Sequence, residues 1–168
     1  MKFASVVLDV DSTLCGVEGI DWLAQRRGPE TADRVRALTD RAMNGEITLD
    51  AVYGERLALI RPSGDDIEAL GRVYRQTLAD GAADAIRALV SERVQVALVS
   101  GGIRQAIAPL ARELGVAVHA VELHWDERGE YAGFDARSPL VTQQGKRDAV
   151  QALALPRPIL SVGDGATD

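Results

Sequence analysis

The chain has 168 residues, enough for one core domain with a modest insertion, and its 46% hydrophobic and 26% charged residues are ordinary for a globular protein. A formal net charge of −6 argues against a nonspecific grip on nucleic acid or an anionic membrane surface, and an anionic ligand would need local compensation. The single cysteine, Cys15, excludes an intrachain disulfide and fits a reducing cytoplasm, while the apolar run after Lys2 meets Asp9 too early for a signal peptide and nothing approaches the roughly 20 apolar residues of a membrane helix.

In chain order, Phe3–Leu8 is a short β-branched run without alternation, the pattern of a strand buried on both faces, and it stops at Asp9. From about Cys15 to Leu78 the period is helical, with turns expected near Arg27–Gly28–Pro29, Asn44–Gly45 and Arg61–Pro62–Ser63–Gly64. Trp22, Leu23, Val35 and Leu38 are expected to line a small separate core there, so this segment reads as a helical insertion over the mouth of a sheet. Ala82–Glu92 is a helix presenting Ala85, Ile86, Leu89 and Val90 on one face. Val94–Val99 is a second buried strand ending at Ser100. Ile103–Leu114 is a helix that Pro109 should kink or break. Gly115 is a helix stop before a strand at Val116–Val121, and His124–Phe134 suggests a hairpin around Arg128–Gly129. A helical pattern at Ala149–Leu153 precedes the last buried strand, Ile159–Val162. Strands alternating with helices give an α/β fold, a Rossmann-like parallel sheet flanked by helices, with ligands expected beyond the carboxyl ends of its strands. Such a domain ordinarily continues through another helix and strand, so the chain ending at Asp168 reads as shortened at its C-terminus.

Four clusters fall at those strand ends. Asp9-Val10-Asp11-Ser12-Thr13 places two carboxylates one residue apart, which can converge because side chains repeat every second residue along a strand. One can attack and the other shuttle a proton, although a polar turn or helix cap would use the same residues. Ser100-Gly101-Gly102 reads as a strand end that opens a helix, where glycines admit an anion to free N–H groups; an ordinary strand–helix turn looks alike. Lys146 can balance a phosphate or simply be solvated. Gly163-Asp164-Gly165-Ala166-Thr167-Asp168 offers hard oxygen ligands for Mg²⁺, or an Asp-Gly turn. A small buried thiol, rather than a nucleophile served by His119 or His124, is the expected fate of Cys15.

Together, in this order, the clusters resemble the haloacid dehalogenase superfamily of phosphotransferases, whose motifs run DxDx[TV], [ST], Lys and GDxxxD. Within it the chain looks like the phosphoserine phosphatase family, through DVDSTLCGVEGIDWLA, SGG and GDGATD, and the likeness covers essentially the whole chain. The resemblance implies a core of 1–14 and 79–168 with a small helical cap, 15–78, inserted after the first strand. It implies Asp9 as nucleophile, Asp11 as general acid and then base, and Ser100, Gly101 and Lys146 as phosphate-holding groups. Mg²⁺ would be bound by Asp9, the Asp11 backbone carbonyl and Asp164, with Asp168 in support. Electrostatics argues for the metal independently: a carboxylate about 4 Å from a phosphate dianion meets repulsion of order 4 kcal/mol per charge pair at an effective dielectric near 20, more than one lysine offsets.

The implied partner is a small phosphomonoester, and phosphoserine would need an anion for its ammonium and a cation for its carboxylate. Glu18 and Arg56 stand at the family's spacing for these two roles, although both also suit a solvated helix face. Leu49 departs from a phenylalanine of some relatives, and Thr167 from the asparagine of many bacterial ones. The competing readings are a phosphatase or phosphotransferase for another small phosphomonoester, and an inactive truncated fragment acting as a binding domain. A homodimer is left open.

Overall fold

A computed structural model describes residues 2–165. Among the described residues four parallel strands form the sheet in the order β3-β2-β1-β6: β1 is Ser5–Leu8, β2 Gln95–Ile103, β3 Ala117–Val121 and β6 Ile159–Val162. Each is rich in β-branched or aliphatic residues, which fit a pleated sheet covered by helices. In-register partners share a face, so Val7, Ala97 and Ser161 point to one side of the sheet, and Asp9, two residues beyond Val7, continues that row. β6 departs from the expectation of burial on both faces. As an outer strand of the four it is only partly covered, and Val162 is 39% exposed.

Between β1 and β2 the chain makes five helices: α1 Gly19–Arg26, α2 Pro29–Met43, α3 Leu49–Ile60, α4 Gly64–Gln76 and α5 Ala82–Ser91. The expected turns fall at the breaks between the first four. Pro29 opens α2, where its missing N–H is not needed. Ser63 and Asp66 close a capping box at the start of α4, each side chain bonding the other's backbone N–H. The two ends of this helical stretch are stitched side by side: Gly16 N–H donates to the Thr77 carbonyl and Ala79 N–H to that of Leu14, both at 2.9 Å.

The separate helical core does not form. Leu23, Val35, Leu57 and Ile60 belong to one continuous buried cluster with Val6, Leu98 and Ile107, while Trp22 is only partly buried. The cause is close docking of α4 on α6, Arg104–Leu114, where a side chain at Gly71 would meet the Ala106 carbonyl at 3.1 Å. The apolar face of α5 is also narrower than its period suggests, with Ile86 buried but Val90 46% exposed. Pro109 neither breaks nor ends α6, which runs on to Gly115 in the left-handed region at φ 70°. The hairpin forms as expected from β4, Leu123–Trp125, and β5, Tyr131–Phe134. Its loop is held by Asp126, whose Oδ1 accepts from the N–H groups of Arg128 and Glu130. No helix among the described residues is long and apolar enough to cross a membrane.

Candidate active site

Asp9 leaves the end of β1 nearly buried, at 6% exposure, and its Oδ2 lies 2.8 Å from Lys146 Nζ. Lys146 comes from α7, Gly145–Ala152, and it sits inside the first turn of that helix rather than before it. The helix start is fixed sterically: a Cβ on Gly145 would overlap the Pro139 carbonyl of the short 3₁₀ turn Pro139–Val141. Glycine is therefore what lets α7 approach and bring the ammonium to Asp9. Asp9 and Lys146 also line a cavity of about 300 Å³ between β1, β6 and α7, whose other walls include Val7, Val99, Val150 and Ile159.

Asp11 is fastened at both carboxylate oxygens. Oδ1 accepts from Gly19 N–H at 2.7 Å and from the Tyr74 hydroxyl at 2.8 Å; Oδ2 accepts from Ser100 Oγ at 3.2 Å. Burial pushes its pKa up, against the lowering effects of Tyr74, Gly19, Ser100 and Lys146, so the site favours a protonated Asp11 more than water does. Such a carboxyl suits a group that must deliver a proton. Just beyond Asp11 the chain turns back, with Cys15 N–H donating to the Val10 carbonyl at 2.9 Å, and Ser12 takes a positive φ of 53°, uncommon for a residue with a side chain.

Ser100-Gly101-Gly102 corrects the sequence reading. These residues do not open a helix; β2 continues through Ile103 and α6 begins at Arg104. Four residues of β2 from Val99 to Ile103 advance against only two of β3, from His119 to Val121, so this stretch is a bulge. Close approach, rather than a helix terminus, explains the glycines. A Cβ at Gly102 would lie 2.5 Å from Asp11 Oδ2, and one at Gly101 would lie 3.3 Å from the Leu140 carbonyl. Ser100 Oγ accepts from Gly102 N–H at 2.9 Å while donating to Asp11, which orients its hydroxyl toward the site.

Asp164 is joined to the first cluster by Thr13 Oγ1, which donates to its Oδ1 at 3.1 Å, just after Asp9 N–H bonds the Val162 carbonyl at 3.0 Å. Asp168 lies outside the described residues, as do Ala166 and Thr167. Glu18 accepts from Ser12 Oγ at 2.5 Å. Partial enclosure raises its pKa; the Ser12 bond opposes this, and the carboxylates of Asp11, Asp21 and Asp164 raise it further, which marks a concentrated negative field suited to a cation. Arg56, on α3, gives Nη2 to Asp21 Oδ1 at 2.5 Å with its side chain 15% exposed. Sequence reasoning missed Tyr74, Gly19 and Asp21. Gly19, eight residues from Asp11 at a helix start, carried a signal, since such N–H groups seek acceptors. Cys15 is buried, and its thiol is pushed up to about 12 by burial and by Asp11, so it is inert.

Among the described residues no three His, Cys, Asp or Glu side chains gather closely enough to hold a metal unaided. The nearby donors, Asp9 and Asp164, are hard oxygens. They fit a small cation that takes one or two carboxylates and fills its remaining positions with water and phosphate.

An aspartate at a strand end facing a helix-borne lysine, with a second aspartate two residues on, brings together a nucleophile, a cation beside it and a proton donor, the parts a hydrolase needs. The chain belongs to the haloacid dehalogenase-like hydrolases, which it matches over residues 6–168, and the phosphoserine phosphatases among them are metal-dependent. Its relatives there include the phosphoserine phosphatase of Homo sapiens, 38% identical over 170 residues that span 98% of this chain and 75% of that protein. A solved phospho-aspartyl intermediate analogue of phosphoserine phosphatase superposes with a TM-score of 0.79 at 27% identity, covering 100% of this chain and 81% of the other. A substrate-bound phosphoserine phosphatase complex also gives 0.79 at 26% identity, over 100% and 80%.

Proposed function

We propose that this hydrolase cleaves O-phosphoserine to serine and phosphate through a phosphoryl group carried on Asp9. The observation that carries the proposal is the Asp9–Lys146 contact at 2.8 Å beside an Asp11 held at three points. Lys146 keeps Asp9 ionised and gives the incoming phosphate a cation. An Asp9 oxygen attacks phosphorus and the bond from phosphorus to the seryl oxygen breaks, while Asp11 protonates that oxygen and serine leaves. Ionised Asp11 then takes a proton from a water that attacks the phosphoryl group, which frees phosphate and restores both carboxyl groups. Ser100 Oγ, now on Asp11, can turn to the phosphate, and Gly101 leaves room for it.

Mg²⁺ is part of the proposal. Asp9, the Asp11 backbone carbonyl and Asp164 would hold it, and it would supply charge compensation between carboxylate and phosphate. Phosphoserine is favoured over other monoesters because Glu18 lies in an acidic field suited to its ammonium, and Arg56 offers a guanidinium for its carboxylate. Support also comes from the names of the human relative and of the two superposed structures. The helices between Gly19 and Gln76 act as the cap over this site, and a cytoplasmic setting accords with a single buried cysteine.

The test is phosphate release from a panel of monoesters, with and without Mg²⁺, by the wild type and by Arg56→Ala. Phosphoserine should be the best substrate, and Arg56→Ala should lower its kcat/KM roughly a hundredfold, with a much smaller effect on p-nitrophenyl phosphate. Equal losses on both would remove the case for phosphoserine, and phosphate transfer to an added alcohol would reassign the reaction.

A further inference from the structure

Among the described residues, helix α3 carries two buried donors without an acceptor. The Tyr53 hydroxyl is enclosed, the residue being only 7% exposed, and it has no hydrogen-bond partner among the described residues. Arg56 Nε is in the same condition, since Asp21 engages only Nη2 of that guanidinium. Positions three apart on a helix share a face, so the two donors lie on one side of α3. The Tyr53 ring is braced by Phe134 on the hairpin, with centroids 5.1 Å apart and planes tilted by 58°. Burial, and then the Asp11 carboxylate, push the phenol's pKa up against the influence of Arg56. It keeps its proton at any working pH and stands within electrostatic reach of the catalytic acid.

A buried donor without an acceptor is costly, and two neighbouring ones, one of them cationic, match the paired oxygens of a carboxylate. We propose that Tyr53 is a specificity-determining residue: its hydroxyl and Arg56 Nε form a two-donor slot for the carboxylate of an amino-acid phosphate. The inference rests on the phosphoserine reading and adds to it the residue that orients the carboxylate. The ester phosphate, placed against Lys146 and Ser100, is not the group this slot receives.

Tyr53→Phe removes one oxygen and keeps the ring against Phe134. The experiment measures KM and kcat for O-phosphoserine and compares phosphoethanolamine, as substrate or competing ligand, which has the phosphate and ammonium without the carboxylate. A thermal melt verifies folding. KM for phosphoserine should rise about tenfold, as expected for losing a hydrogen bond to a charged group, with kcat within about threefold. The change for phosphoethanolamine should be less than a third as large. No rise in KM, or equal changes for the two ligands, in an enzyme that prefers phosphoserine would overturn the slot and leave the proposed function standing. A wild type that does not distinguish the two ligands would overturn both.

Discussion

At the scale of single residues, Asp11 shows how the site separates two chemically identical carboxylates. Asp9 faces an ammonium at 2.8 Å, a neighbour that favours its anion, while burial outweighs the donors around Asp11 and biases that carboxyl toward its acid form. Tyr74 reaches Asp11 from 63 residues away in sequence, out of the helical stretch rather than the sheet, and is fully buried. Tyr74→Phe should lower kcat about tenfold, the loss expected when a hydrogen bond to an ionisable partner is removed, and steady-state kinetics would detect it. An unchanged kcat would show that Gly19 and Ser100 position Asp11 without help. Asp9 and Asp11 could be read in the sequence from a strand's two-residue repeat, whereas Ser100 and Lys146 stood out only through a family's motif order. Tyr74 could be read from neither. Nothing local to α4 signals a hydroxyl aimed at another element, and its contact exists only once α4 has docked on α6.

At the scale of elements, the site depends on where three segments stop. β1 ends at Leu8, β2 bulges after Val99, and α7 starts at Gly145 against the Pro139 carbonyl. The last point is the most exacting, because backbone cannot yield as a flexible side chain does. Gly145→Ala should cost about 2–3 kcal/mol through overpacking, lowering Tm by roughly 5–10 °C, and should weaken phosphate binding by moving Lys146. A melt and activity matching the wild type would show that α7 can shift without consequence. The strands were legible from β-branched runs and the helix breaks from Gly and Pro. The bulge was not, because Ser-Gly-Gly after a strand fits a helix start as well as a continued strand. Only pairing with β3 chooses between them.

At the scale of the whole molecule, the helices between Gly19 and Gln76 share a core with the sheet, so stability in one part supports geometry in the other. Asp66 illustrates this. The carboxylate is 5% exposed and takes Arg27 Nη2 at 2.5 Å and Arg26 Nε at 3.2 Å, tying α4 to the end of α1. Burial alone would raise its pKa, but the bonds from Arg27, Ser63 and Arg26 prevail and hold it well below the usual carboxylate range. A folded pKa depressed below the unfolded value of about 3.9 means this stability is present at neutral pH and is lost as pH falls below about 4. The Tm difference between wild type and Asp66→Asn should therefore be largest at pH 7 and shrink on acidification below that point. A difference independent of pH would contradict the ion-pair account.

The continuity of that core was the global feature least visible in sequence. An insertion with its own apolar positions looks self-sufficient until Gly71 is seen letting α4 dock on α6. The central claim remains local: Asp9 carries the phosphoryl group. The most direct measurement mixes the enzyme with phosphoserine radiolabelled in its phosphate, quenches within one turnover in acid, and counts label on the protein. Wild type should hold label that hydroxylamine removes, as from an acyl phosphate, and Asp9→Asn should hold none and turn over no substrate. Label persisting in Asp9→Asn, or turnover there without any labelled protein, would contradict the account.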